Sequence, residues 1–138
     1  MQVSSQGSPS DNAASQATHP LFRTGMVTAG LCGAAGVALA ALGTHMDATG
    51  LMSVASGMLL FHAPAFLGLG ALAQLRRVPL LPVAFVLLLA GVALFSGDLV
   101  SRALTAERLF AMSAPMGGSL MICGWLAVLL SAAFVRPR

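Results

Sequence analysis

The sequence contains very little charge: only 8% of its 138 residues are Asp, Glu, Lys or Arg, and none is a lysine. A soluble domain carries about 25% charged residues, because polar side chains must cover its surface. No such surface can be assembled here, since 57% of the residues are hydrophobic. The composition therefore excludes an ordinary soluble protein and predicts a single domain that resides in lipid.

The basic charge that is present does not indicate a nucleic-acid partner. The formal net charge of +3 comes entirely from scattered arginines, and aromatic residues make up only 6% of the chain. A nucleic-acid surface requires basic residues clustered on one face, so this class of partner is excluded. An arginine-only composition rich in alanine and glycine is typical of a high-GC bacterial genome.

Cysteine and catalytic motifs are also scarce. Cys32 and Cys123 both lie inside apolar runs without a CxxC partner, so we expect them to behave as small hydrophobic side chains. The chain contains no GxSxG motif, no HExxH motif and no phosphate-binding loop. We therefore predict no catalytic residue, no metal site and no cofactor, and a protein that is not an enzyme.

What the sequence does contain is four long apolar segments. They lie at about 24–45, 51–73, 80–104 and 114–135, after a polar stretch at 1–22 for which we predict a disordered cytoplasmic tail. Each segment is at least as long as the ~20 residues that an α-helix needs to cross a bilayer. Short connections favour antiparallel neighbours. We predict an all-α, integral membrane four-helix domain over 23–136, an up-down-up-down bundle.

The arginines predict the orientation of this bundle. Arg23, the pair at 76–77, Arg136 and Arg138 fall on one side of the bilayer. Arg102 and Arg108 fall on the other, together with most of the acidic residues. Because cytoplasmic loops carry an excess of basic residues, we expect a bacterial inner-membrane protein with both termini in the cytoplasm.

Small residues predict where the helices meet. Lipid offers no hydrophobic reason for helices to associate, so close backbone contact at small side chains must supply the attraction. Stripes of such residues recur at helical spacing in the first and fourth segments, and Gly91 continues this pattern in the third. The expected packing glycines are Gly33, Gly36, Gly43, Gly91, Gly117, Gly118 and Gly124.

Four ionisable residues within or beside the apolar segments are candidates for function: His45, His62, Asp98 and Arg102. Intramembrane ionisable groups are functional hypotheses by default. Asp98 shares a face of the third helix with Gly91, and Arg102 follows at the spacing of an i,i+4 pair. We interpret Asp98 as a structural link between helices, with an ion, proton or metal site as the alternative. His62 lies near the midplane, where a structural hydrogen bond and a relay role both remain open.

His45 raises a further alternative. It ends the first segment beside Met46, and Met52, Met112 and Met116 are expected at a similar depth. Histidine and thioether ligands suit copper(I), although the spacing has no dedicated metal motif. Copper handling is therefore kept as the second alternative function.

Four blocks occur in an order that resembles a known family: "GAAGVALAALGTH" at 33–45, "LLFHAPAFLGLG" at 59–70, "GVALFSGDL" at 91–99 and "APMGGSLMICGW" at 114–125. Over roughly residues 28–135 the chain resembles domain-of-unknown-function family number 423, the YwdK/YgdD-like small integral membrane proteins. The resemblance implies a four-helix inner-membrane protein without an established catalytic residue. The matching positions are His45, His62, Ser96, Pro115, Gly117, Gly118 and Trp125.

These features support three hypotheses about function. The leading one is a non-enzymatic accessory or assembly partner of a membrane complex, in contact with the lipid bilayer and with a second membrane protein or a second copy of itself. The alternative is a small transporter or ion-handling protein that uses His62 and Asp98. Copper handling is the third.

Overall fold

A computed structural model describes residues 18–137. It contains four α-helices: α1 at Pro20–Met46, α2 at Leu51–Leu75, α3 at Leu81–Thr105 and α4 at Ser113–Ser131, which continues as a 3-10 turn at Ala132–Phe134. All four are long and apolar enough to cross a membrane. The predicted all-α membrane fold is confirmed.

The first helix begins earlier than the sequence suggested. Residues 1–17 of the expected tail lie outside the described part of the chain. Within it, α1 starts at Pro20 and not near Thr24, because His19 caps the helix by accepting the Leu21 N–H on Nδ1 at 3.2 Å. Proline at the first helical position also suits a helix start, since its missing N–H would have no partner there.

The helices form two hairpins, α1 with α2 and α3 with α4, and the hairpins meet where α2 packs on α3. In the first hairpin the backbones come closest at Gly25 and Gly70: a Cβ on Gly25 would lie 2.7 Å from the Phe66 carbonyl oxygen. In the second, a Cβ on Gly117 would lie 2.6 Å from the Phe95 nitrogen. In each hairpin, therefore, two helices approach each other closely at a glycine.

The core lies between the hairpins. Phe66 of α2 and Phe85 of α3 are almost fully buried, and their ring centroids are 5.1 Å apart at an interplanar angle of 60°. Leu81 and Leu88 extend this core along α3. Aromatic pairs in this tilted arrangement add stabilisation beyond their buried area, so the aromatic contact fixes one hairpin on the other.

The two ends of the bundle carry different charge. At one end, which we call the arginine end, two-residue strands β1 (Arg76–Arg77) and β2 (Arg136–Pro137) pair antiparallel, and the His19 N–H donates to Gln74 Oε1 at 2.7 Å. The opposite, acidic end holds the α1–α2 and α3–α4 turns. The short pairing of β1 with β2 was not anticipated. It ties the last described residues to the α2–α3 connection.

Candidate functional site

Asp98 is placed by α3 inside the bundle, seven residues before the helix ends at Thr105, or about 10 Å from that end. Its side chain is fully buried. On the same face, Leu88 and Gly91 are buried as well, whereas Phe95 and Arg102 are half-buried. The stripe that was expected to face inward is therefore buried only in part.

The Asp98 carboxylate holds the α3–α4 turn. Its Oδ1 accepts hydrogen bonds from the Leu109 N–H at 3.1 Å and from the Ser113 hydroxyl at 2.5 Å. The turn begins and ends with non-glycine residues in the left-handed region, Ala106 at φ 60° and Met112 at φ 71°. Such residues have an energetic cost, and Asp98 holds the chain between them through Leu109 and directly after them through Ser113. Asp98 thus joins α3 to the start of α4, as a structural link would.

The second carboxylate oxygen has no such role. Asp98 Oδ2 is buried and has no hydrogen-bond partner among the described residues. Within the described residues, no hydrogen bond joins Asp98 to Arg102, although their i,i+4 spacing favoured such a pair. A buried carboxylate oxygen without a donor is costly, so a proton or a cation at this position would stabilise the site.

His62 lies in the interior and both of its ring nitrogens have partners. Nδ1 is 2.8 Å from the Met58 carbonyl oxygen, and Nε2 is 3.3 Å from Trp125 Nε1. A carbonyl can only accept and an indole N–H can only donate. In this arrangement Nδ1 donates to the Met58 carbonyl, Nε2 accepts the Trp125 N–H, and His62 links α2 to α4. The two rings are 5.9 Å apart between centroids.

The remaining candidates are not brought into one site. His45 is exposed at the end of α1, and Met46, Met112 and Met116 are exposed too, whereas Met52 is buried against the bundle. Within residues 18–137, no hydrogen bond or ring contact joins His62 to Asp98. That same range contains no group of three His, Cys, Asp or Glu side chains that could hold a metal ion.

The glycine candidates divide into two groups. A Cβ would meet a neighbouring helix within 3.3 Å at Gly36, Gly43, Gly91, Gly117 and Gly124. At Gly33 and Gly118 it would meet nothing within 4 Å, so these two are not points of close helix contact. Helical spacing alone did not distinguish them, because it gives the face of a helix but not the position of the neighbour. The partner glycine Gly70 was missed, since α2 shows no stripe.

A groove that was not predicted runs between α1 and α3, across α2. It has a volume of about 410 Å³ and is lined by small or apolar residues, chiefly Ala35, Ala38, Ala93 and Gly97. Ser96 lies in its wall with a buried hydroxyl that has no hydrogen-bond partner among the described residues. Several other hydroxyls in these helices donate to the carbonyl four residues earlier, as Ser131 and Ser119 do. No sequence motif signals this groove, because its lining comes from three helices.

Comparison with known proteins now places the chain. A family model described as "Protein of unknown function (DUF423)" matches residues 32–118. The chain belongs to this family. The resemblance inferred from the four sequence blocks is thereby confirmed, and the matched range contains His45, His62, Asp98 and Gly117.

Curated members of the DUF423 family resemble the chain over most of its length. The "UPF0382 inner membrane protein YgdD" of Escherichia coli K12 is 35% identical over 121 residues, which cover 82% of this chain and 92% of that protein. The protein of the same name from Shigella flexneri shows the same values. No solved structure matches the chain. The relatives' names state a membrane location and no activity.

Proposed function

We propose that this DUF423 protein is a non-enzymatic accessory subunit of the bacterial inner membrane, which binds a transmembrane helix of another membrane protein in the α1–α3 groove. The inner-membrane location rests on the name of the relative YgdD, an inner membrane protein. The groove is the observation that carries the proposal. Its alanine and glycine lining permits the close backbone approach on which helix association in lipid depends.

The polar content of the groove supports a protein occupant. A hydroxyl buried without a partner costs about 1–3 kcal/mol, and that is the condition of Ser96. Because this oxygen is buried, a partner helix can satisfy it only if the Ser96 side chain turns toward the groove. Acyl chains carry no acceptor that would favour this turn. The groove lies near the middle of α1 and α3, so the partner must itself be embedded in the membrane.

Site-directed photocrosslinking in cells tests this proposal. A photoreactive residue at Ala38, in the groove, should give one adduct of defined mass with a heterologous membrane protein. Val37 is the matched control, because it lies at the same depth of α1, is exposed and is absent from the groove lining. The substitution Ala93→Leu should fill the groove and abolish the Ala38 adduct. Adducts only with lipid or with a second copy of the chain would contradict the proposal, as would equal adducts from Val37.

A second candidate function is ion or proton handling, and the unpartnered Asp98 Oδ2 is the observation that favours it. An ionisable group kept inside a membrane bundle is expensive unless it has a partner or a role. In proteoliposomes with an imposed ion gradient, Asp98→Asn and His62→Phe should then reduce flux. Flux equal to that of the wild type in both variants would remove this candidate.

A further inference from the structure

The arginine end of the bundle contains a cavity that the groove proposal does not use. Its volume is about 320 Å³, and its polar lining consists of His19, Arg76 and Arg77. Its apolar lining comes from residues at the α2–α3 connection, among them Val78 and Pro82. At roughly 30 Å³ per water, the cavity could hold on the order of ten water molecules, which is enough room for a phosphate group and its glycerol.

The guanidinium groups at this cavity are available for a ligand. Arg76 and Arg77 are exposed, and neither side chain has a hydrogen bond or an ion pair within the described residues. Arginine presents a planar set of donors that matches phosphate oxygens in a bidentate manner. Both arginines line the cavity and neither has a partner within the described residues, so each can donate to a phosphate held there.

His19 adds a further donor. Its Nδ1 accepts the Leu21 N–H, so the ring proton lies on Nε2, because a nitrogen that accepts cannot carry the proton. The backbone N–H of His19 is held by Gln74, which fixes the residue at the edge of the cavity. The ring is half-buried and can donate from Nε2 without breaking its role as the cap of α1.

The charges around the cavity favour an anionic ligand. Among residues 18–137, every acidic side chain lies away from this cavity, because Asp47, Asp98 and Glu107 all belong to the acidic half of the bundle. Among the described residues that line the cavity, a zwitterionic headgroup would find no carboxylate for its ammonium group. Orientation in the membrane requires basic residues on one side, but it does not require them to border a cavity with an apolar wall.

We propose that this cavity binds the phosphate of an anionic membrane lipid, with Arg76, Arg77 and His19 on the phosphate and the apolar wall against the glycerol and the first part of the acyl chains. The position fits such a ligand, since the cavity lies at the ends of the membrane-spanning helices α2 and α3. Basic pockets between transmembrane helices are the usual sites for anionic headgroups. The same donors also suit free phosphate, so the test must separate the two sources.

Native mass spectrometry of the delipidated full-length protein in detergent provides the test. The protein is incubated with one lipid at a time. Dioleoylphosphatidylglycerol should bind to the wild type and stay bound in the spectrometer, and dioleoylphosphatidylcholine should not. This comparison does not depend on any variant folding. For Arg76→Gln/Arg77→Gln we expect roughly a 30-fold loss of apparent affinity for phosphatidylglycerol, the effect of removing two arginines from an anionic lipid site. The matched control, Arg102→Gln/Arg108→Gln, removes the same charge from the other end and should bind like the wild type.

Competition with inorganic phosphate shows whether the cavity recognises a lipid headgroup or free phosphate. If excess phosphate displaces phosphatidylglycerol from the wild type, the site recognises the phosphate group alone. If it does not, the site requires the lipid with its apolar part. Equal retention of the two lipids by the wild type would overturn the proposal, and so would unchanged phosphatidylglycerol binding in a folded Arg76→Gln/Arg77→Gln variant. Neither result bears on the α1–α3 groove.

Discussion

Asp47 organises the turn between α1 and α2 through its carboxylate. Oδ1 accepts from the N–H of Thr49 at 2.8 Å and from the Thr49 hydroxyl, while Oδ2 accepts from the Met52 N–H at 2.6 Å. The Met52 N–H lies in the first turn of α2 and has no intrahelical acceptor. Gly50, at φ 75°, supplies the left-handed residue that lets the chain reverse before α2. One carboxylate thus closes the loop and caps the next helix.

These hydrogen bonds predict a pH dependence of stability. They lower the pKa of Asp47 from its ordinary 3.8, first through the Thr49 hydroxyl and next through the Met52 N–H. A group whose pKa is lower in the folded state stabilises the fold above its unfolded pKa, and this stabilisation is lost as the pH falls through the folded value. We therefore expect Asp47→Ala to have a lower melting temperature than the wild type at neutral pH in detergent. As the pH falls below 3.8, the melting temperatures of the two proteins should converge.

Glu107 offers the control for this measurement. It lies in the other turn at the same end, and its carboxylate makes no hydrogen bond within the described residues. Glu107→Ala should therefore keep the wild-type melting temperature at neutral pH. A difference between wild type and Asp47→Ala that is the same at neutral and strongly acidic pH would contradict the assignment of the effect to the carboxylate.

His62 shows how far a single residue could be interpreted from sequence. The position of a histidine inside an apolar segment was evident, and its structural and functional interpretations were left open. The deciding partner, Trp125, is 63 residues away on a helix that is not adjacent in sequence. Contact between α2 and α4 depends on how the hairpins pack, and no periodicity in one segment encodes that. The tautomer follows only once both partners are known.

At the scale of helices, the sequence pointed to small residues as the places of close backbone approach, because helix association in lipid requires them. The stripes contain such places, for example Gly36 of α1 and Gly117 of α4, but also Gly33, where a Cβ would meet nothing within 4 Å. The partner of each stripe was not predictable in the same way. α1 packs on α2 through Gly70 and α4 packs on α3 through Gly91, and a stripe on one helix does not specify the helix it contacts.

The contrast between two glycines of α1 tests this packing. At Gly25 a Cβ would approach the Phe66 carbonyl oxygen to 2.7 Å, and backbone cannot move aside easily. We expect Gly25→Ala to destabilise the protein by about 1–3 kcal/mol, the usual effect of inserting a group into a packed contact. At Gly33 a Cβ would meet nothing within 4 Å, so Gly33→Ala should be neutral or slightly stabilising.

Unfolding by titration with sodium dodecyl sulfate, followed by circular dichroism, measures both variants under one condition. The two substitutions add the same methyl group to the same helix, so their difference reports the position and not the chemistry. If Gly25→Ala were as stable as Gly33→Ala, α1 would not approach α2 as closely as the structure shows.

For the molecule as a whole, separation of charge between the two ends is the dominant feature. The arginine end holds β1, β2 and the start of α1, while the acidic end holds both hairpin turns. An even number of spanning helices leaves the start of α1 and the end of α4 on the same side. The overall fold was predictable because four apolar segments of spanning length admit few arrangements. The groove and the arginine-end cavity were not, because each is lined by several helices.

Labelling of single cysteines from outside the cell tests this orientation. In a Cys32→Ala/Cys123→Ala background, one cysteine is introduced at Thr18, at Ala133 or at Ala106, all exposed positions. The excess of arginine near the first two positions predicts that they face the cytoplasm. A membrane-impermeant maleimide applied to spheroplasts should therefore label Ala106→Cys and leave Thr18→Cys and Ala133→Cys unlabelled until the membrane is permeabilised. If only one of Thr18→Cys and Ala133→Cys were labelled in intact spheroplasts, the two ends of the described chain would lie on opposite sides, which contradicts four spanning helices. If both were labelled, the orientation would be the reverse, and the arginine-end cavity would lie outside the cytoplasm.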